Sequence, residues 1–117
     1  FRSIRRVPNV EASNEPNKRK DKELAIRNFP NPFNPTTQIS YTLKEDAHVL
    51  VQVYNVQGRL IQTLTDGFEK EGSHGVIWSG VDMDGHAVAS GLYYYRVSIK
   101  PDDSPEISKI QSMLLLK

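Results

Sequence analysis

Hydrophobic and polar side chains alternate along several short segments of the chain, most clearly over residues 48–54, where Val49, Val51 and Val53 share one face. Alternation with a period of two is typical of a strand with one buried side, because successive side chains of a strand point to opposite faces of its sheet. Turn-forming residues separate these segments at the spacing of a sandwich or barrel. We therefore predict about seven strands, at residues 24–27, 39–43, 48–54, 59–65, 76–79, 91–100 and 107–116.

The inward positions of these strands predict the hydrophobic core. Trp78 is the sole tryptophan, and because one indole buries on the order of 200 Å², we expect it to anchor the core. On the sixth strand we expect Tyr94, Arg96, Ser98 and Lys100 on the outer face. The side chains predicted to fill the core are Ile39, Tyr41, Val51, Val53, Trp78, Tyr93, Tyr95 and Val97.

Three prolines, at positions 30, 32 and 35, lie in one stretch, residues 28–41. Proline fixes φ, lacks a backbone donor and pushes the preceding residue toward extended geometry, so neither a helix nor a central strand can persist there. We expect this stretch to divide an N-terminal arm from a sheet domain. Phe29 and Phe33 flank its first turns, and we expect both rings to close one end of the core.

The connections between the strands complete the fold prediction. Gly58 can adopt positive φ in a hairpin turn, and Asp66 and Gly67 begin a charged loop that reaches Glu71. The apolar end of the last strand predicts burial on both of its faces. No segment shows a helical period of 3.6 over the length of a helix. These features predict an all-β protein, with an Ig-like antiparallel β-sandwich of about seven strands over residues 24–117.

Composition narrows the possible classes of function. The chain has 117 residues, enough for one domain, and no cysteine, which excludes disulfides and thiolate chemistry. Its net charge of +1 gives no strong attraction to nucleic acid, and no window approaches the roughly 20 apolar residues of a membrane helix. The chain begins at Phe1 without a signal-peptide pattern, so we expect either a processed terminus or part of a longer protein.

Residues 1–23 are predicted to form a basic flexible arm or linker. Residues 1–22 carry a net charge of +4, which leaves −3 for the rest of the chain. Few large apolar side chains occur here, so the arm cannot build a core of its own. The alternative is an arm that becomes ordered on a partner's surface, with apolar anchors at intervals of three, namely Phe1, Ile4, Val7 and Val10. Its docking residues would include Phe1, Arg2, Arg5 and Arg6.

Candidate chemical groups are few. Asp82 and Asp84 precede Gly85 in a turn of the kind that begins calcium-binding loops, but Tyr93 stands where such a loop needs a bidentate glutamate. The same residues suit a tight turn, and a cation held weakly by Asp82 and Asp84 is the alternative. The three histidines lack the helical spacing of a zinc site, and no nucleophile elbow is present. We therefore expect neither enzymatic activity nor a cofactor.

Several short motifs follow one another in a fixed order, at residues 28–41, 54–58, 72–74, 78–85, 89–93 and 113–117. In this order they resemble the type A C-terminal sorting domain of the type IX secretion system. That family is similar in turn to the immunoglobulin-like domain of the flagellar hook-capping protein. The resemblance extends over residues 24–117, and it implies a β-sandwich at the end of a larger exported protein.

The function implied by this resemblance is that of a non-catalytic C-terminal sorting and attachment module, recognised by outer-membrane secretion machinery. Its partners would be proteins, namely a cargo domain, the machinery or neighbouring subunits, with no nucleic acid and no membrane span. Its location would be the cell surface, the extracellular space or the periplasm. The residues implied as the address are Met113, Leu114, Leu115, Leu116 and Lys117.

An alternative function does not depend on the resemblance. A sandwich with exposed sheet edges and an adhesive arm would serve as a structural subunit. It would clamp a larger extracellular or periplasmic complex through the arm and the edges.

Overall fold

Two antiparallel sheets form the part of the chain that the computed structural model describes, residues 24–117. One sheet has the strand order β1-β2-β5 and the other the order β4-β3-β6-β7. The sheets face each other across a shared core, which confirms the predicted all-β, Ig-like sandwich. The strands are β1 (Ile26–Phe29), β2 (Thr37–Leu43), β3 (Ala47–Asn55), β4 (Leu60–Glu69), β5 (Gly72–Trp78), β6 (Gly91–Pro101) and β7 (Ile107–Leu115).

The core is filled by side chains at alternate positions of the strands. β3 is central in its sheet, paired with β4 on one side and β6 on the other, and its valines at 49, 51 and 53 are fully buried. The eight side chains expected in the core from the sequence each expose at most 6% of their surface.

Between residues 24 and 117, no helix is long and apolar enough to cross a membrane.

Two strands have different bounds from those predicted. β1 lies two residues later than expected, because Asn28 and Phe29 pair with Ile39 and Gln38 of β2. β4 continues through residues 66–69, where the sequence predicted a charged loop, because these residues pair with the first half of β3. As an edge strand, β4 exposes part of this segment to solvent, so its charges are compatible with the strand.

The burial of two side chains also differs from the prediction. Phe33 is 2% exposed and belongs to the core, but Phe29 is 76% exposed, so only one of the two rings closes the end of the sandwich. Ser98 lies on the outer face of β6, yet it is buried. Its short side chain sits on a strand flanked by β3 and β7, where longer neighbours can cover it.

Candidate interaction surface

The end of β7 is the candidate site that the sequence motifs point to. Met113 and Leu115 lie in the core, Leu114 is half-buried, and Leu116 and Lys117 are exposed. The prediction that the last strand is buried on both faces is therefore wrong. β7 is the edge strand of a two-layer sandwich, so no second sheet covers its outer face. Of the five residues that the resemblance implies as an address, a partner that binds the folded domain can therefore reach only Leu116, Lys117 and part of Leu114.

The proline-rich stretch lies directly against this end of β7. The backbone N–H of Phe33 donates to the carbonyl of Leu114 at 3.0 Å, and the N–H of Leu116 donates to the carbonyl of Phe33 at 2.9 Å. The side-chain Oδ1 of Asn31 accepts a hydrogen bond from the N–H of Leu114 at 3.0 Å. The stretch that the sequence predicted to divide the arm from the sheet domain is therefore also a clamp on the C-terminal strand, a contact that the sequence did not reveal.

Three aromatic rings support this clamp from inside the core. The ring centroid of Trp78 lies 5.7 Å from that of Phe33 and 5.3 Å from that of Tyr93, the latter pair in an edge-to-face arrangement. The indole Nε1 donates to the carbonyl of Val81 at 2.8 Å, and the Tyr93 hydroxyl donates to the carbonyl of Ala89 at 2.7 Å. The polar atoms of both rings are thus satisfied. The segments around Trp78 and Tyr93 therefore form the part of the core against which the proline-rich stretch packs.

The turn at residues 82–86 contains the candidate cation ligands. One carboxylate oxygen of Asp82 accepts hydrogen bonds from the backbone N–H groups of Asp84 and His86, each at 2.9 Å. The carboxylates of Asp82 and Asp84 and the imidazole of His86 lie within 4.8 Å of one another. His86 was not among the cation ligands expected from the sequence, because only the folded turn brings its imidazole to the two carboxylates. The hydrogen bonds suffice to explain this turn, and cation binding stays a prediction.

A second polar cluster joins the two sheets between β4 and β5. The Tyr41 hydroxyl donates to Glu69 Oε1 at 2.7 Å, and the Tyr41 ring stacks on His74 with centroids 5.7 Å apart. His74 Nδ1 lies 3.5 Å from the same Glu69 oxygen, and its Nε2 donates to the carbonyl of Lys70 at 2.6 Å. Burial, together with the hydrogen bond and negative charge of Glu69, raises the pKa of Tyr41. The phenol therefore stays neutral and serves as a hydrogen-bond donor.

The other buried tyrosines behave in the same way. Burial raises the pKa of Tyr95 to about 12 and also raises the pKa of Tyr93. Tyr95 donates its hydroxyl proton to Gln111 Oε1 at 3.1 Å. Within the described part of the chain, no serine or threonine hydroxyl is hydrogen-bonded to a histidine.

The arm residues singled out in the sequence lie outside the described range. They are Phe1, Arg2, Arg5 and Arg6.

The FlgD Ig-like domain family matches residues 31–103. This range runs from the clamp to the loop after β6. No curated protein sequence matches the chain significantly.

Solved structures share the fold at low sequence identity. Dimeric latent PorU from Porphyromonas gingivalis superposes with a TM-score of 0.67 and 19% identity, over 80% of this chain and 9% of PorU. FlgD from P. aeruginosa gives a TM-score of 0.55 and 22% identity, over 72% of this chain and 69% of that protein. FlgD from Xanthomonas campestris, whose structure is described with the hook capping essential for flagellar assembly, gives a TM-score of 0.56 and 12% identity. The match covers 79% of this chain and 63% of that protein. The chain spans only a small part of PorU and about two thirds of each FlgD.

Proposed function

Because the chain belongs to the FlgD Ig-like domain family, we propose that it is a non-catalytic protein-interaction module. Its specific role would be the C-terminal sorting and attachment of an exported bacterial protein, recognised by outer-membrane secretion machinery. The cargo domain and the machinery would be its protein partners. Its location would be the periplasm during export and the cell surface or extracellular space afterwards.

The observation that carries this proposal is the way in which the end of β7 is held. Met113 and Leu115 anchor the strand in the core, and Phe33 fixes its backbone through two hydrogen bonds. The next residues, Leu116 and Lys117, are exposed in a defined position, with the N–H of Lys117 donating to Ser90 Oγ at 3.0 Å. A short signal held in one conformation loses less conformational entropy when a receptor binds it. The fold thus supports a terminal address presented at a fixed place.

The experiment fuses residues 1–117 to the C-terminus of a reporter in a bacterium that has a type IX secretion system. The measurement is the fraction of reporter at the cell surface, assayed by access of added protease. In the test variant, Leu116→Asp is combined with Lys117→Glu, which changes two exposed side chains and leaves the core intact. We expect surface exposure to fall about tenfold, because exposed contacts of a recognition site each contribute of the order of 1 kcal/mol.

The matched control is Lys109→Glu, which reverses an exposed charge on the same strand away from its end. It should export normally, and equal loss in the control and the test variant would show a general effect of charge. A wild-type fusion that stays in the periplasm would contradict the sorting role. The structural-subunit function would then lead, supported by the exposed Phe68 and Ile77 on edge strands β4 and β5.

A further inference from the structure

The outer face of the four-stranded sheet carries a groove away from the clamp. Tyr54 on β3 lies opposite Tyr94 on β6, and Arg96 on β6 lies opposite Ile110 on β7. Together with Val56, in the turn after β3, these side chains line a groove of about 320 Å³. We call it the tyrosine–arginine groove. Its residues are separate from Leu116 and Lys117, so a role for it goes beyond the proposed sorting function.

The walls of the tyrosine–arginine groove are apolar and open to solvent. Val56 is 64% exposed and Ile110 is 59% exposed, on opposite sides of the groove. The rings of Tyr54 and Tyr94 are half-buried and form its floor. Large apolar side chains gathered on the outer face of a sheet, with no covering layer, are typical of a surface that binds another molecule.

Arg96 gives the groove a charge without a counter-charge. Its Nε is buried and has no hydrogen-bond partner among residues 24–117. The ion pairs found over residues 24–117 do not include Arg96, and no acidic side chain lines the groove. A guanidinium presents several donors in a planar fork that matches a carboxylate, so a guanidinium that pairs with no acid among the described residues can pair with an external carboxylate.

The side chain directly across from Arg96 on the neighbouring strand makes its hydrogen bonds to other residues. Gln52 lies opposite Arg96 on β3. Its Oε1 accepts a hydrogen bond from the Tyr54 hydroxyl at 2.8 Å, and its Nε2 donates one to Thr63 Oγ1 at 3.4 Å. The same bond occupies the Tyr54 hydroxyl as a donor. These bonds hold Gln52 to Tyr54 and Thr63, and none of the hydrogen bonds found over residues 24–117 includes the Arg96 guanidinium, which can therefore donate to an external acceptor.

We propose that the tyrosine–arginine groove docks an extended segment of a partner protein that carries a carboxylate between two apolar side chains. In an extended segment, side chains at alternate positions share one face and lie about 7 Å apart. A carboxylate in the middle of such a face would pair with Arg96, while its apolar neighbours would cover Val56 and Ile110. A neutral sugar stacked on the tyrosines would leave the guanidinium without a counter-charge, which favours the peptide.

The test uses two synthetic peptides and the full chain. The first, acetyl-Thr-Leu-Thr-Asp-Thr-Leu-Thr-amide, presents Leu, Asp and Leu on one face of an extended strand, and the second replaces Asp by Asn. Binding is followed by NMR amide shifts of the isotope-labelled protein. We expect shifts confined to the groove and a Kd of the order of 1 mM for the first, acidic peptide. The second peptide, which carries Asn and is called the amide peptide because its central side chain is an amide, should bind about tenfold more weakly.

Two variants separate the charge from the fold. Arg96→Gln should weaken the acidic peptide about tenfold and leave the amide peptide unaffected, because the stem of the side chain is kept while the charge is lost. Lys109→Gln removes an exposed charge of the same strand pair outside the groove and should change neither affinity. The amide spectrum of each variant shows that the sandwich is intact.

Several results would overturn the proposal. They are the absence of shifts with the acidic peptide, shifts outside the groove, equal affinity for both peptides, or an unchanged affinity in Arg96→Gln. Groove shifts produced by a neutral oligosaccharide but not by the acidic peptide would assign the surface to carbohydrate instead. Export of the reporter fusion would be unaffected by Arg96→Gln if the groove and the terminal address act separately.

Discussion

At the scale of single residues, the large aromatic side chains of the core each place their polar atom within a hydrogen bond, and Tyr95 is an example. The ring is fully buried, and its hydroxyl reaches Gln111 on the neighbouring strand. A buried phenolate would lose its hydration, so burial favours the neutral form. Trp78 follows the same rule with its Nε1 donating to Val81. Both residues combine a large apolar surface with one hydrogen bond that the fold supplies.

The raised pKa of Tyr95 predicts a loss of stability in alkali. The folded pKa is about 12, compared with 10.0 for the free side chain. Below the lower value both states are neutral and stability is complete; between the two values only the unfolded state ionises, so stability falls as pH rises. We expect urea midpoints to decrease over this interval, and to decrease less steeply in Tyr95→Phe. The same slope in both proteins would contradict a buried, neutral Tyr95.

At the scale of elements, the contact between the proline-rich stretch and β7 depends on a glycine. Gly80 has φ of +73°, and a Cβ there would lie 3.3 Å from the carbonyl oxygen of Pro35 and 3.5 Å from a methyl group of Leu115. Its carbonyl also accepts a hydrogen bond from the N–H of Val88. The chain after β5 is thus packed closely under the clamp, and a side chain at position 80 would push the two apart.

Gly80→Ala is therefore expected to destabilise more than Gly85→Ala. Gly85 has a similar φ of +86° but open space around it, so its variant should cost about 1–2 kcal/mol from backbone strain alone. Gly80→Ala should lower the free energy of unfolding by that amount and by the further energy needed to displace Pro35 and Leu115. The measurement is the free energy of unfolding from denaturant titration. Equal costs would mean that the clamp relaxes around the added methyl group.

At the scale of the whole molecule, the proposed address and the hydrophobic core share residues. Met113 is 1% exposed and Leu115 is fully buried, and both lie between the two sheets with Trp78 and Tyr93. An experiment that deletes the address therefore also removes part of the core. Recognition and stability can be separated only at the exposed residues.

Deletion of residues 113–117 is expected to unfold the sandwich. Loss of a buried Leu or Met side chain costs about 2–5 kcal/mol each, and a typical domain has only about 5–15 kcal/mol in total. Circular dichroism and Trp78 fluorescence should show no cooperative melt for the deletion. The double change Leu116→Asp with Lys117→Glu should melt close to wild type, within about 0.5 kcal/mol. A cooperative melt of the truncated chain near the wild-type temperature would refute this shared role.

The sequence by itself determined the fold class and the core, because both follow from local patterns. Alternation places Val51, Val53 and Val97 on inward faces whatever their neighbours are. Turn residues limited the length of most strands. The alternation failed at β4 and β7, because an edge strand tolerates charged or apolar side chains on faces that nothing covers. Phe29 and Phe33 lie in similar local sequence, and only the path of the chain decides which ring is buried.

The tertiary structure alone decided which residues meet. It placed Phe33 against Leu114 and Leu116. It also left the buried Nε of Arg96 without a hydrogen-bond partner among residues 24–117. Such contacts depend on the order and register of strands that are distant in sequence, and the period of one strand carries no information about its neighbours. The sequence therefore determined a β-sandwich and the residues of its core, and the packing of the strands decided which side chains meet on its surface.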